Sequence, residues 1–194
     1  ADLSDPDLYE VLMQHYLGKG RFVIWLSSMM SAVEQQAVSR YALKGGRILL
    51  ATQSIAHSPS VFDFKEKILG IGQYIRWAGS GEFETARGEG DDGKIPFASV
   101  VPETGTEPVL VDIEGRVAAV RLDAGEFRTV FVGLDLRRTS AESRQRLLGE
   151  QIAFLSDGAE VSLRARLAIK SVVAPESTVA TRNLRPEVLV ANGG

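Results

Sequence analysis

The sequence predicts an α/β domain built as three layers around a parallel sheet (flavodoxin-like or amidotransferase-like), with an antiparallel hairpin insertion and a β-rich C-terminal tail. Three observations lead there. Strand-length segments centred on apolar runs, typical of strands buried on both faces, occur at 22–26, 47–52 and 129–133. Stretches with helical spacing of apolar residues separate them. Glycines mark short connections between these helices and strands. Short connections favour neighbouring strands that run parallel and are joined by right-handed crossovers.

The chain begins with a predicted helix followed by a predicted strand. Apolar side chains recur at helical spacing over 8–16, and Gly18 and Gly20 end that helix. His15 lies on or beside its apolar face, where we expect a partly buried, hydrogen-bonded side chain. The run 22–26 follows as a strand buried on both faces.

A capping box marks the next helix. Ser31 with Glu34 three residues later predicts a helix that continues to about Leu43. The run 47–52 is the second buried strand, and a further helix is predicted over 60–69.

The middle of the chain predicts antiparallel structure. Residues 71–101 change to short alternating pieces. Residues 109–113 and 117–122 then flank Glu114 and Gly115, which is a hairpin signal.

The end of the chain divides into a closing helix and a tail. Thr139 and Glu142 form a second capping box, which predicts a helix to about Leu155. The α/β domain therefore comprises residues 1–158. Residues 159–194 contain no aromatic side chain and are predicted to be a linker followed by the first strands of a β-sandwich-like module.

Composition excludes several classes of function. The 194 residues are 44% hydrophobic and 24% charged, which is typical of a globular protein. The net charge of −3 argues against nucleic-acid binding, since neutralising phosphates requires clustered Lys and Arg. No apolar stretch approaches the roughly 20 residues of a membrane span. With no cysteine, thiolate metal sites and cysteine nucleophiles are excluded, and we expect no cofactor.

Several segments, in this order, resemble one known fold: 22–28, 44–54, 64–71, 88–96 and 130–135. Together they resemble the class I glutamine amidotransferase-like fold, in particular its non-catalytic versions within large secreted or surface proteins. The resemblance covers residues 7–156. The tail, 167–194, resembles the opening of an immunoglobulin-like adhesion module.

Two departures limit what this resemblance implies. A true amidotransferase carries a cysteine on a sharp strand-to-helix elbow, backed by a histidine and a glutamate. Here Gln53 and Ser54 follow the strand, and 134–138 contain no histidine. The resemblance therefore implies the fold without the chemistry. The family also places a strand–helix pair before the strand at 22–26, and we expect that pair to be missing.

Ser54 and His57 are the candidate catalytic pair. A serine nucleophile requires a base within hydrogen-bonding reach and a third group that orients the base. No acid can be assigned to that third role. The preferred interpretation of these two residues is therefore not catalytic: a capped helix start, with the histidine on the surface.

The carboxyl ends of the predicted parallel strands are the candidate ligand site, because ligands of open α/β sheets bind there. The polar residues at those ends, together with the histidine that follows the second strand, are Ser27, Ser28, Gln53, Ser54, His57, Asp135 and Arg137. They could bind a small polar ligand or a peptide, or they could cap helices at a site that has lost its activity. The second interpretation is preferred, because fold does not imply function.

The acidic loop 88–93 offers oxygen ligands for calcium from Glu89, Asp91 and Asp92. Their spacing does not match an EF-hand loop, and Lys94 is adjacent, so a solvated turn is preferred. The loop glycines do not connect a buried strand to a helix, which sets a phosphate-binding loop aside.

These observations together predict a non-catalytic structural or assembly domain of an extracellular or cell-envelope protein. Its expected partners are other protein chains, or other segments of its parent protein, bound through sheet edges. Two alternatives stay open. One is an enzyme, either a hydrolase that uses Ser54 or an accessory domain of a secreted enzyme. The other is a glycan- or peptide-binding module that uses the crevice at the strand ends, and glycan binding that is lost when Trp77 is changed would favour it.

Overall fold

The structure, a computed structural model, describes residues 7–17, 21–27, 29–55, 64–75 and 78–156. Ser28, His57, Trp77 and the tail 159–194 lie outside the described residues, as does the side chain of His15. The interpretations that rest on them, including the boundary at residue 158, stay predictions.

Helices and strands alternate in the first part of the described chain, and strands dominate the second. In order they are α1 (Asp7–Tyr16), β1 (Val23–Leu26), α2 (Ala32–Ala42), β2 (Arg47–Ala51), a π-helical turn (Phe64–Ile68), β3 (Ile71–Ile75), β4 (Ser80–Gly81), β5 (Ile95–Pro96), β6 (Ser99–Pro102), β7 (Thr106–Val111), β8 (Val117–Asp123), β9 (Arg128–Val132), a 3₁₀ turn (Leu136–Arg138) and α3 (Ala141–Leu155).

The three apolar runs are neighbours in one parallel array, as predicted. β1 pairs with β2, and β2 pairs with β9, in continuous parallel register, with Leu49 between Ile24 and Val130. The other strands of the seven-stranded sheet join antiparallel: β8 pairs with β9, β7 and β6, and β3 pairs with β6. By these pairings β1, β2, β6, β7 and β9 run in one direction, against β3 and β8. The protein therefore has a mixed α/β fold with a largely co-directional central sheet.

Helices cover both faces of this sheet. Ile48 and Leu50 belong to a buried cluster that includes α1 and α2, whereas Leu49 and Ala51 belong to a second cluster that includes α3. Because successive residues of a strand point to opposite faces, the helices of the two clusters lie on opposite sides of β2.

The prediction that 22–26 is buried on both faces was wrong. Val23 is buried and Ile24 and Trp25 are half-buried, but Leu26 keeps 42% of its surface exposed. Within the described residues β1 pairs with β2 alone, so it lacks the second neighbour that buries β2. Residues 48–51 and 129–132 are buried throughout.

The first capping box is confirmed. Ser31 N–H donates to Glu34 Oε2 at 2.6 Å, and Glu34 N–H donates to Ser31 Oγ at 3.3 Å. These bonds satisfy backbone donors that a helix start leaves unpaired. The α2 helix ends at Ala42, one residue before the predicted Leu43.

The second capping box was wrong by one residue. Ser140 caps α3, and its Oγ accepts from Ser143 N–H at 3.3 Å. Thr139 Oγ1 instead donates to the carbonyl of Asp135. Since Ser140 is the cap, Glu142 lies one residue too early to complete a box. The predicted end of the helix at Leu155 is confirmed.

The predicted hairpin is confirmed as β7–β8, although β7 begins earlier, at Thr106. Its turn is built on the buried carboxylate of Asp112, which accepts from the backbone N–H groups of Glu114 and Arg116 at 3.1 and 2.7 Å. Gly115 has a φ of 83°, a conformation that favours glycine.

β8 is a branch point of the sheet. β7 and β9 both pair along its length and therefore occupy opposite edges, whereas β6 pairs only at Val117, beyond the end of β9. At this junction Gly133 N–H donates to Ala118 O, and Gly133 O accepts from Ala98 N–H, both at 2.8 Å. A Cβ at Gly133 would lie 2.5 Å from Ala98 O, so only glycine fits there.

Candidate functional site

The carboxyl ends of β1, β2 and β9 meet at one edge of the sheet, as their parallel pairing requires. Ser27 follows β1, Gln53 and Ser54 follow β2, and Asp135 follows β9. The contacts of each side chain show whether it is available for chemistry.

Ser54 is held inside the protein. The residue is 6% exposed. Its carbonyl accepts from Thr52 Oγ1 and from Met30 N–H, each at 2.9 Å, and its own N–H donates to Thr52 Oγ1 at 3.2 Å. None of the described residues hydrogen-bonds to its Oγ, so the described part of the chain supplies no base for a nucleophile here.

The side chain of Ser27 hydrogen-bonds within a local turn. Its Oγ donates to the carbonyl of Met29 at 2.6 Å and lies 3.2 Å from Met29 N. Its backbone N–H donates to Ala51 O, which extends the β1–β2 ladder by one bond. The side chain therefore stabilises the start of the connection to α2.

Gln53 and Asp135 are brought together by a segment that sequence reasoning did not place here. Gln53 Nε2 donates to Pro96 O at 3.0 Å, and Asp135 N–H donates to the same oxygen at 3.2 Å. Tyr74 OH donates to Gln53 O at 2.6 Å. Hence β5 lies across these strand ends. The carbonyl of Pro96 binds the side-chain amide of Gln53, which was predicted to face a ligand.

Asp135 and Arg137 form the ion pair considered from the sequence. Arg137 Nε lies 3.0 Å from Asp135 Oδ1, and a second guanidinium nitrogen lies 3.1 Å from Oδ2. Burial raises the pKa of Asp135, but the bonds from Arg137 and the charges of Arg137 and Arg138 outweigh it and hold that pKa below its usual value. The same pairing raises the pKa of Arg137. A carboxylate with a lowered pKa is a weak base, so Asp135 suits an ion pair better than proton transfer.

The acidic loop is tied to the 3₁₀ turn before α3. Gly88 N–H donates to Gly93 O at 2.8 Å, which closes the loop, and Glu89 N–H donates to Arg138 O at 2.9 Å. A bridge pairs Gly88 with Thr139. Over the described ranges, no three His, Asp or Glu side chains lie close enough together to hold a metal ion. The three calcium candidates, Glu89, Asp91 and Asp92, are thus not brought together as ligands.

A surface depression of about 210 Å³ lies between this loop and the strand ends. It is lined by Ser80, Glu89, Gly90, Asp92, Lys94, Pro96 and Arg138. Sequence analysis missed it as a site because its walls come from segments more than forty residues apart. The available signal was the high density of charge in both the acidic loop and 135–138.

Comparisons with known proteins give structural likeness only. No family model matches the sequence, and no curated protein matches it. Similar structures include an exo-β-1,4-mannosidase from Opitutaceae bacterium strain TAV5 (16% identity, TM-score 0.37, 70% of this chain and 24% of that chain). A β-galactosidase from Bacillus circulans sp. alkalophilus is similar at 13% identity and a TM-score of 0.43, over 69% of this chain and 22% of that chain.

The mmIFT52 N-terminal domain is also similar, at 13% identity and a TM-score of 0.45, over 78% of this chain and 82% of that chain. The chain spans about a quarter or less of the length of the two glycosidases. Among the helices that the structure describes, none is long and apolar enough to cross a membrane.

Proposed function

We propose that the α/β domain is non-catalytic and serves as a structural or assembly domain of an extracellular or cell-envelope protein, joining other chains or segments through a sheet edge. The supporting observation is that the polar groups at the strand ends serve the fold. Gln53 binds Pro96, Asp135 pairs with Arg137, and Ser54 is buried. An active nucleophile requires a neighbouring base and access for substrate.

The finer fold assignment belongs to the same proposal. The cluster containing α1 and α2 and the cluster containing α3 support a three-layer, amidotransferase-like arrangement. The extracellular setting and the immunoglobulin-like module after residue 158 rest on the sequence resemblance.

The three edge strands differ in their protection against pairing. Within the described chain, β1, β3 and β7 each have one partner strand. The β7 strand contains Pro108 and two register shifts, and β3 contains Gly72 and one register shift. Prolines and irregularities of this kind prevent an edge from accepting another strand.

In contrast, β1 carries none of these features. Its four residues are Val, Ile, Trp and Leu, without charge or proline, and its register with β2 is continuous. We therefore assign the assembly edge to β1, with an extended segment of another chain or of the parent protein as the partner.

The first test concerns catalysis. We expect no glutaminase or esterase turnover above that of the double variant Ser54→Ala, His57→Ala, because Ser54 is buried and no described residue activates it. Steady-state assays with glutamine and a small aryl ester would measure this. Turnover that the double variant abolishes would establish the hydrolase alternative instead.

The second test concerns assembly. We expect the full chain to associate, and Leu26→Lys on β1 to lower the associated fraction, since a charged side chain on an edge strand opposes pairing. Light scattering over a concentration series would measure the mass. Val111→Lys is the matched control on β7, because its position is 41% exposed against 42% for Leu26. A wild-type chain that stays monomeric, or equal effects of the two variants, would refute the assignment.

A further inference from the structure

Charges of both signs line the depression beside the strand ends. Glu89 and Asp92 supply two carboxylates, and Lys94 and Arg138 supply two cations. Across the described ranges, the side chains of Glu89, Lys94 and Arg138 form no ion pair and no hydrogen bond. Asp92 Oδ1 accepts from the backbone N–H of Lys94 at 3.1 Å, which leaves its second oxygen uncommitted. Residues of both signs of charge thus line one small space, and within the described chain their side chains do not neutralise each other by direct pairing.

The backbone holds these groups in place. The bond from Glu89 N–H to Arg138 O joins the acidic loop to the 3₁₀ turn, the two segments that carry the charged residues of the depression. A Cβ at Gly88 would lie 2.3 Å from Lys94 O, so the two ends of the acidic loop are packed backbone to backbone. Gly93 has a φ of 66°, which places the closing turn in a conformation that suits glycine. A site with a fixed backbone loses less conformational entropy on binding.

The depression lies where ligands of α/β sheets bind. Pro96 lines it and also receives the hydrogen bonds from Gln53 and Asp135. The depression is therefore next to the carboxyl ends of β2 and β9, outside the sheet. Gln53 and Ser54, which follow β2, do not line the depression.

We propose that this depression binds a small zwitterion, with the ammonium group held by Glu89 and Asp92 and the carboxylate held by Lys94 and Arg138. A ligand with a single charge would meet one favourable pair and one repulsive pair. A zwitterion satisfies both pairs and adds charge-assisted hydrogen bonds. The volume of about 210 Å³ is below the roughly 300–1,000 Å³ of sites for drug-sized ligands. A depression of this size suits a ligand of about the size of a free amino acid.

Titration of the full chain, followed by backbone amide NMR shifts, tests the proposal. The probes are glycine, β-alanine and γ-aminobutyrate, which are zwitterions of increasing charge separation. Acetate and methylammonium are the single-charge comparisons, and calcium chloride tests whether the depression is a metal site instead. We expect saturable shifts at residues of the depression for at least one zwitterion, with at least about tenfold weaker binding of acetate and methylammonium.

Variants that remove one charge each test which residues bind the ammonium and the carboxylate of the ligand. Glu89→Gln and Arg138→Gln should each weaken binding of the best zwitterion about tenfold or more, as expected when one charged hydrogen-bonding partner is lost. Glu150→Gln and Arg146→Gln change exposed charges of the same types on α3 and should leave it unchanged. Native amide spectra of all four variants would exclude unfolding.

Four outcomes would overturn the proposal. These are no saturable shift with any zwitterion, binding of acetate as tight as that of the best zwitterion, binding of calcium alone, and equal weakening in the α3 controls. None of them bears on whether the domain is catalytic or assembles through β1, so the two proposals fail separately.

Discussion

Replacing Leu49 by Ala is expected to lower the free energy of unfolding by about 2–5 kcal/mol, the usual range for large-to-small changes in a packed core. Leu49 is fully buried, and its strand has neighbours on both edges. Truncation removes its contacts within the cluster under α3 and leaves a cavity that the flanking strands prevent from collapsing. Urea unfolding monitored by circular dichroism would measure the change.

Ile24→Ala is the matched comparison for Leu49→Ala. Ile24 is the register partner of Leu49 and belongs to the same face, but it is only half-buried on an edge strand. A substituted site that is partly open to solvent loses less transfer free energy and leaves no closed cavity. We expect a clearly smaller loss than at Leu49. Equal losses at the two positions, or a loss below about 1 kcal/mol at Leu49, would contradict the described packing.

Replacing Gln151 by Met is expected to raise the free energy of unfolding by about 1–3 kcal/mol, the cost of a buried polar group without a partner. Gln151 lies on α3 midway between Leu147 and Leu155, on the stripe that faces the sheet. Its side chain is fully buried, and neither its amide nitrogen nor its amide oxygen has a hydrogen-bond partner among the residues that the structure describes. Methionine has a similar shape and no such group to desolvate.

Gln145→Met is the control for this gain, since Gln145 is exposed on the same helix. Its effect should lie within about 0.5 kcal/mol of zero, as for surface substitutions in general. Thermal and urea unfolding of both variants would separate a burial effect from a change in helix propensity. A loss of stability in Gln151→Met would show that the buried amide is satisfied in the native protein.

Local signals in the sequence predicted the parts of the fold that depend on local contacts. The Ser31 capping box, the β7–β8 turn and the apolar runs of β2 and β9 each involve residues within a few positions of one another. The apolar pattern alone did not predict the exposure of Leu26, because that exposure depends on whether β1 has a second neighbour. Apolar composition does not contain that information.

The candidate site was predicted in position but not in its contacts. Parallel pairing does bring Gln53 and Asp135 to one edge, as expected. That Pro96 covers them depends on pairing between segments about forty residues apart in sequence, which no local pattern encodes. The same holds for Arg138, which meets the acidic loop only because the 3₁₀ turn follows β9 to that edge.

The branch at β8 constrains the order in which the chain can fold. The arm formed by β9, β2 and β1 and the arm formed by β6 and β3 dock on successive parts of one edge of β8. The β7–β8 hairpin is closed by a short turn, and hairpins form in about 1–10 μs. In contrast, β1 and β2 reach β9 only by closing a loop of more than seventy residues, which is entropically costly. We therefore expect the hairpin to form before β1 and β2 join the sheet, and Gly133 leaves room for the two arms to meet at β8.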